Sequence, residues 1–181
     1  MSIHRRNFLT TLGIGLSSSA LASHLSINEN DGLKTEFVFK AEVLVDKIMD
    51  LGVTQHGNRR IIPITGGTFE GPLIKGTIVA GGADWQIIRA DGVAELEARY
   101  TLRSDDGALI YVINKGYRHG PPEVIQRLAK GEQVDPKEYY FRATPTFETS
   151  AVKYNWLTKN VFVATGERKP TSVILDFYKI L

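Results

Sequence analysis

From residue 35 onward, apolar side chains recur at every second position in short runs broken by glycine, aspartate and proline. Period two is the signature of half-buried strands. Phe37, Phe39, Ala41, Val43 and Val45 share one face, with Lys40 and Glu42 on the other. A second strand is expected over residues 58–64, stopped near Pro63 and Gly66-Gly67, and a third over 74–79, turned by Gly81-Gly82. Residues 84–89 run into Asp91-Gly92, the dipeptide that most strongly signals a tight hairpin. Residues 93–103 alternate cleanly: Ala94, Leu96, Ala98, Tyr100 and Leu102 oppose Glu95, Glu97, Arg99 and Arg103. After the turn Asp105-Asp106-Gly107, residues 108–114 are apolar on both faces, which predicts a buried central strand. Further strands are expected at 139–144, 160–165 and 172–181.

A single helix interrupts the pattern, over residues 121–130. Pro121-Pro122 suits its first turn, Glu123 its N-terminal dipole, and Gly131 its exit. Val124, Ile125 and Leu128 form its apolar stripe. Roughly nine or ten short strands with regular turn signals predict an all-β sandwich or barrel. Closure removes exposed edges and can enclose a ligand, so a closed or nearly closed antiparallel β-barrel is the expected fold.

The first residues follow a different logic. Arg5-Arg6-Asn7-Phe8-Leu9 leads into a mildly apolar run ending at Ala20-Leu21-Ala22. Paired arginines, a weak apolar core and a small-x-small site predict a twin-arginine export signal over residues 1–22, cleaved before Ser23. The run falls short of the ~20 apolar residues of a membrane span. Residues 23–34 are expected to be a flexible leader, and 35–181 a single barrel domain. The mature protein would then be periplasmic or secreted, with no membrane partner. The chain has 22 basic and 20 acidic residues, and losing Arg5 and Arg6 balances them. Without a basic excess, nucleic acid is not an expected partner. There is no cysteine, which excludes disulfides and thiolate chemistry. His24, His56 and His119 show no ligand spacing, so neither a metal nor another cofactor is expected.

The candidate chemistry lies in charged residues set into apolar strands. Glu97 and Arg99, two apart on one strand, point the same way and can pair or orient an anion. Asp84-Trp85 offers a hydrogen-bond acceptor beside an indole. Arg142 sits among Tyr139, Tyr140 and Phe141, where an unpaired charge is costly, so it is expected to meet Glu97, Glu148 or a ligand. Asn114, Arg118 and His119 cluster ahead of the helix, and Tyr154 and Trp156 form a late aromatic pair. The expected catalytic set is Asp84, Glu97, Arg99, Arg142 and Glu148. The expected ligand-binding set is Trp85, Tyr111, Asn114, Arg118, Tyr154 and Trp156.

Several motifs together resemble a known family. They are residues 64–72 (ITGGTFEGP), Gly81-Gly82-Ala83-Asp84-Trp85, Ala98-Arg99-Tyr100, Asp106-Gly107-Ala108-Leu109, Arg118-His119-Gly120-Pro121, Tyr139-Tyr140-Phe141-Arg142 and Trp156-Leu157. From Glu36 to Tyr178 the chain resembles the bacterial and fungal domain-of-unknown-function family 3237. The resemblance implies a lipocalin-like barrel, a homodimer, and these polar residues around a cavity; it implies no particular reaction. Glu97 stands where the family often has Asp, and Ala80 where Pro is common.

The expected function is binding of a small organic molecule in the barrel cavity, with acid–base chemistry of lyase, isomerase or cyclase type. Asp84, Glu97 or Glu148 would move the proton, and Arg99 or Arg142 would steady an oxyanion. A non-catalytic carrier and a structural homodimer are the alternatives.

Overall fold

A computed structural model describes residues 32–181. The expected signal peptide and nearly all of the leader lie outside the described residues. Nine strands appear: β1 (Thr35–Val45), β2 (Met49–Thr54), β3 (Gly57–Glu70), β4 (Lys75–Ile88), β5 (Ala94–Ser104), β6 (Leu109–His119), β7 (Tyr140–Glu148), β8 (Phe162–Arg168) and β9 (Ser172–Ile180). Each pairs antiparallel with its neighbour in the order β1-β9-β8-β7-β6-β5-β4-β3-β2. The ring closes where β1 meets the second half of β3, from Lys40↔Glu70 to Val45↔Ile64. Eight strands therefore make a closed antiparallel barrel. The ninth, β2, pairs only with the first half of β3.

Two expectations are corrected. Gly66-Gly67 and Gly81-Gly82 do not turn the chain; β3 and β4 each run 14 residues straight through them. The pairing register shifts at both places, between Ile64 and Thr68 and between Val79 and Ala83. These are bulges, which bend a strand sharply enough to wrap it into a barrel. Gly67 shows why glycine is needed: its φ is +133°, and a Cβ there would collide with the Glu42 carbonyl oxygen across the β1–β3 closure. The second correction is β2, where Met49-Asp50-Leu51-Gly52-Val53 carries too little polar contrast and too much glycine for the alternation to reveal a strand.

The inward faces divide the barrel in two. At one end Phe39, Phe69, Phe147, Phe162 and Phe177 fill the interior, with Phe39 and Phe177 stacked at 4.4 Å and Phe147 edge-on to Phe162 at 5.0 Å. A 3-10 segment, Val152–Thr158, adds the buried Tyr154 and Leu157 to this core. Tyr154 is anchored through its hydroxyl, which donates to Asp106 at 3.0 Å. At the other end the chain between β6 and β7 forms α1 (Pro122–Ala129), with Val124, Leu128 and Val134 joining the core. Here the inward side chains are smaller or polar, and a space remains.

Candidate functional site in the barrel lumen

The space is a cavity of about 50 Å³ at the end where β4, β6 and β8 finish. Its walls include Val43, Ile62, Ile64, Leu96, Val173 and Leu175, and its polar groups are Asp84, Gln86, Tyr100, Asn114, Arg118 and Arg168. Strand parity builds this set. Asp84 and Gln86 are two apart on β4, and Asn114 and Arg118 four apart on β6, so each pair points inward together. Register then aligns the strands: Asp84 lies opposite Ala98, and Ala98 opposite Asn114.

Asp84 is held firmly. Gln86 Nε2 donates to its Oδ2 at 2.6 Å, and the Glu97 backbone N–H donates to its Oδ1 at 3.0 Å. Burial pushes its carboxyl above the ordinary carboxylate range, while Gln86, the Arg118 charge and the Glu97 N–H pull the other way. Arg118 is pushed down by the same burial, opposed by Asp84. Its guanidinium carbon lies 6.0 Å from the centre of the Phe141 ring. Arg168 is better satisfied: Nη1 donates to the carbonyls of Lys169 and Ser172, and its backbone N–H donates to the Tyr139 hydroxyl at 2.8 Å.

Two polar atoms facing this space lack partners. Tyr100 is 3% exposed and Asn114 5%, yet among the described residues the Tyr100 hydroxyl and Asn114 Oδ1 make no hydrogen bond. Buried polar groups are nearly always paired, so two orphans beside a carboxyl and a guanidinium mark a place built for something else to occupy.

The family described as Protein of unknown function (DUF3237) matches residues 33–180. The chain belongs to this family. A UPF0311 protein of Clostridium acetobutylicum is 47% identical over 146 residues, 80% of this chain and 92% of that protein. A crystal structure of a conserved protein of unknown function from Rhodopseudomonas palustris matches with a TM-score of 0.81 at 43% identity, covering 83% of this chain and 99% of that one. A beta-barrel like protein of Acinetobacter baumannii matches with a TM-score of 0.73 at 48% identity, covering 83% and 97%.

In this DUF3237 barrel the residues singled out in the sequence fall into three places. Asp84, Asn114 and Arg118 meet in the lumen. Trp85, Glu97, Arg99, Tyr111, Arg142 and Glu148 occupy the opposite parity and line the outer wall. Tyr154 and Trp156 belong to the packed far end. Arg142 is not buried among aromatics: it is exposed, its guanidinium lies 5.4 Å from the Tyr140 ring, and Nη1 donates to the Phe141 carbonyl. Glu97 is paired on the outer wall with Arg99 at 2.5 Å and Lys115 at 3.5 Å, which holds its carboxyl below the usual range.

That outer wall carries a larger groove, about 760 Å³, between Arg59, Trp85, Tyr117, Tyr140 and Arg142. It is open to solvent, and Glu97, its central carboxylate, is already paired, so its charges are screened and weakly committed. The smaller lumen is the stronger site because two of its buried polar atoms, the Tyr100 hydroxyl and Asn114 Oδ1, have no partner among the described residues. Gln86, Tyr100 and Arg168 complete it and were missed in the sequence. Each carried a signal: Tyr100 is the one aromatic hydroxyl on the apolar face of β5, Gln86 shares parity with Asp84, and Arg168 continues the inward series Phe162, Ala164, Gly166.

Proposed function

We propose that the protein binds a small organic molecule in the barrel lumen and exchanges a proton with it through Asp84. The observation that carries this reading is the pair of orphaned atoms, Tyr100 Oη and Asn114 Oδ1, beside the half-buried carboxyl of Asp84. A carboxyl raised by burial suits a group that gives or takes a proton nearer neutrality. Tyr100, whose phenol is pushed up by burial and by Asp84, stays protonated and can donate to an oxygen that gains charge. Lyase, isomerase and cyclase reactions all fit this pairing of a proton carrier with an oxyanion donor.

The test is methyl-resolved NMR of the chain titrated with a panel of small organic acids, amides and alcohols. Saturable shifts confined to Val43, Ile62, Ile64, Val173 and Leu175 are expected. Shifts confined to the outer groove, or none, would overturn the reading. Asp84→Asn then separates chemistry from carriage: a catalyst loses exchange of ligand protons with deuterated water but keeps binding, whereas a carrier shows no exchange in either form. We also propose export through the twin-arginine pathway and a homodimeric assembly; the intact mass of periplasmic material and sedimentation equilibrium test these two.

A further inference from the structure

The polar groups of the lumen are unequal in charge. Two guanidinium groups, Arg118 and Arg168, line the cavity against one carboxyl, Asp84. A third, Arg60, shares inward parity with Ile62 and Ile64 on β3 and is paired with Asp50 at 3.2 Å. Asp84 has both oxygens taken, by Gln86 and by the Glu97 N–H. Among the described residues no salt bridge joins it to Arg118, and no hydrogen bond is made by the Arg118 guanidinium. Arg118 is half-buried, and a cation drawn part-way out of water with unused donors is costly unless an anion meets it.

We propose that the lumen ligand is a small organic monoanion, a carboxylate or an equivalent enolate, whose charged oxygens are taken by Arg118 and by the Tyr100 hydroxyl. This rests on the lumen-binding reading above and assigns its ligand a charge and a size. The planar guanidinium presents parallel N–H donors that match two oxygens of one head group. Asn114, turned about its amide, adds an N–H donor from the same wall. Opposite these groups the lining is aliphatic, from Val43, Ile62, Ile64 and Leu175, which suits a short carbon skeleton and gives a doubly charged inorganic ion nothing. About 50 Å³ is a third of the ~150 Å³ apolar cavity that accepts benzene. Acids of two or three carbons approach benzene in bulk, so even these require Arg118, whose guanidinium rests on Phe141, to swing toward the mouth.

The experiment titrates the full chain, labelled with ¹⁵N-arginine, at constant ionic strength with sodium propionate, propionamide, inorganic phosphate or chloride. Propionate should shift the Arg118 Nε–H signal saturably, and propionamide should bind at least ten-fold more weakly. Arg118→Met should abolish the saturable response while the near-ultraviolet circular dichroism is kept. If that variant does not fold, the propionate–propionamide ratio in the wild type decides alone. Equal or tighter binding of propionamide would overturn the charge assignment and leave lumen binding standing. Equal binding of phosphate or chloride would overturn the organic assignment. No lumen response to either organic probe would remove both readings together.

Discussion

Replacing Tyr100 by Phe removes one oxygen and nothing else from the lumen wall, so its effect can be worked from the structure. The ring is 3% exposed and its hydroxyl has no partner among the described residues. A buried hydroxyl left unpaired costs about 1–3 kcal/mol, whereas a paired one contributes about 1 kcal/mol net. Phenylalanine keeps the packing and deletes the penalty, so Tyr100→Phe should stabilise the free protein by about 1 kcal/mol. For a domain of this size that is roughly 2–4 °C in Tm. In urea, with a slope of about 1–3 kcal/mol/M, the midpoint should rise by roughly 0.3–1 M with the slope unchanged. The same variant should bind any lumen ligand more weakly, the expected trade between stability and a site held ready. Because burial raises the phenol still further from neutrality, the gain should be flat between pH 6 and 9. Destabilisation by about 1 kcal/mol or more would refute the reasoning. It would mean that the hydroxyl is already hydrogen-bonded in the free protein and is not reserved for a ligand.

Other perturbations separate the lumen from the outer wall and the scaffold. The raised carboxyl of Asp84 holds its proton more tightly folded than unfolded, so its contribution is most favourable below the unfolded value near 3.9 and is lost as pH rises through the folded value. Urea melts of wild type and Asp84→Asn at pH 4 and pH 7 should therefore show the wild type losing ground to the variant as pH rises; the opposite slope would contradict the burial argument. Gly67→Ala should cost about 2 kcal/mol or more, because it forces a left-handed backbone onto alanine and drives Cβ into the β1–β3 closure; a loss under about 0.5 kcal/mol in denaturant melts would show that the bulge is not needed. Arg142→Ala and Glu148→Ala, both on exposed outer positions, should each change stability by no more than about 0.5 kcal/mol and leave lumen binding intact; loss of lumen binding in calorimetry would restore them to the site.

Much of the architecture was legible in the chain because strand alternation is local. The two faces of residues 94–102 and the hairpin at Asp91-Gly92 follow from neighbours within a few positions, and so does the helix opened by Pro122. The same alternation, once the strands are known to close into a barrel, sends Glu97, Arg99 and Arg142 outward, since the apolar face must line the interior. The convergence of Asp84, Tyr100, Arg118 and Arg168 was not legible, because it depends on pairing register and on the bend of each strand. Those are set by contacts between residues far apart in sequence, such as Val43↔Gly67 and Leu44↔Ser172. The glycine pairs show the same division. Their composition announced that the backbone must do something unusual there, but only the packing of β1 on β3 at Gly67 and of β5 on β4 at Gly82 decided that they bend a continuous strand and do not end it. Sequence alone determined most of the strands, their two faces and the family. Tertiary structure decided which polar side chains share one desolvated space, because burial and unmet hydrogen bonds exist only after distant strands have packed.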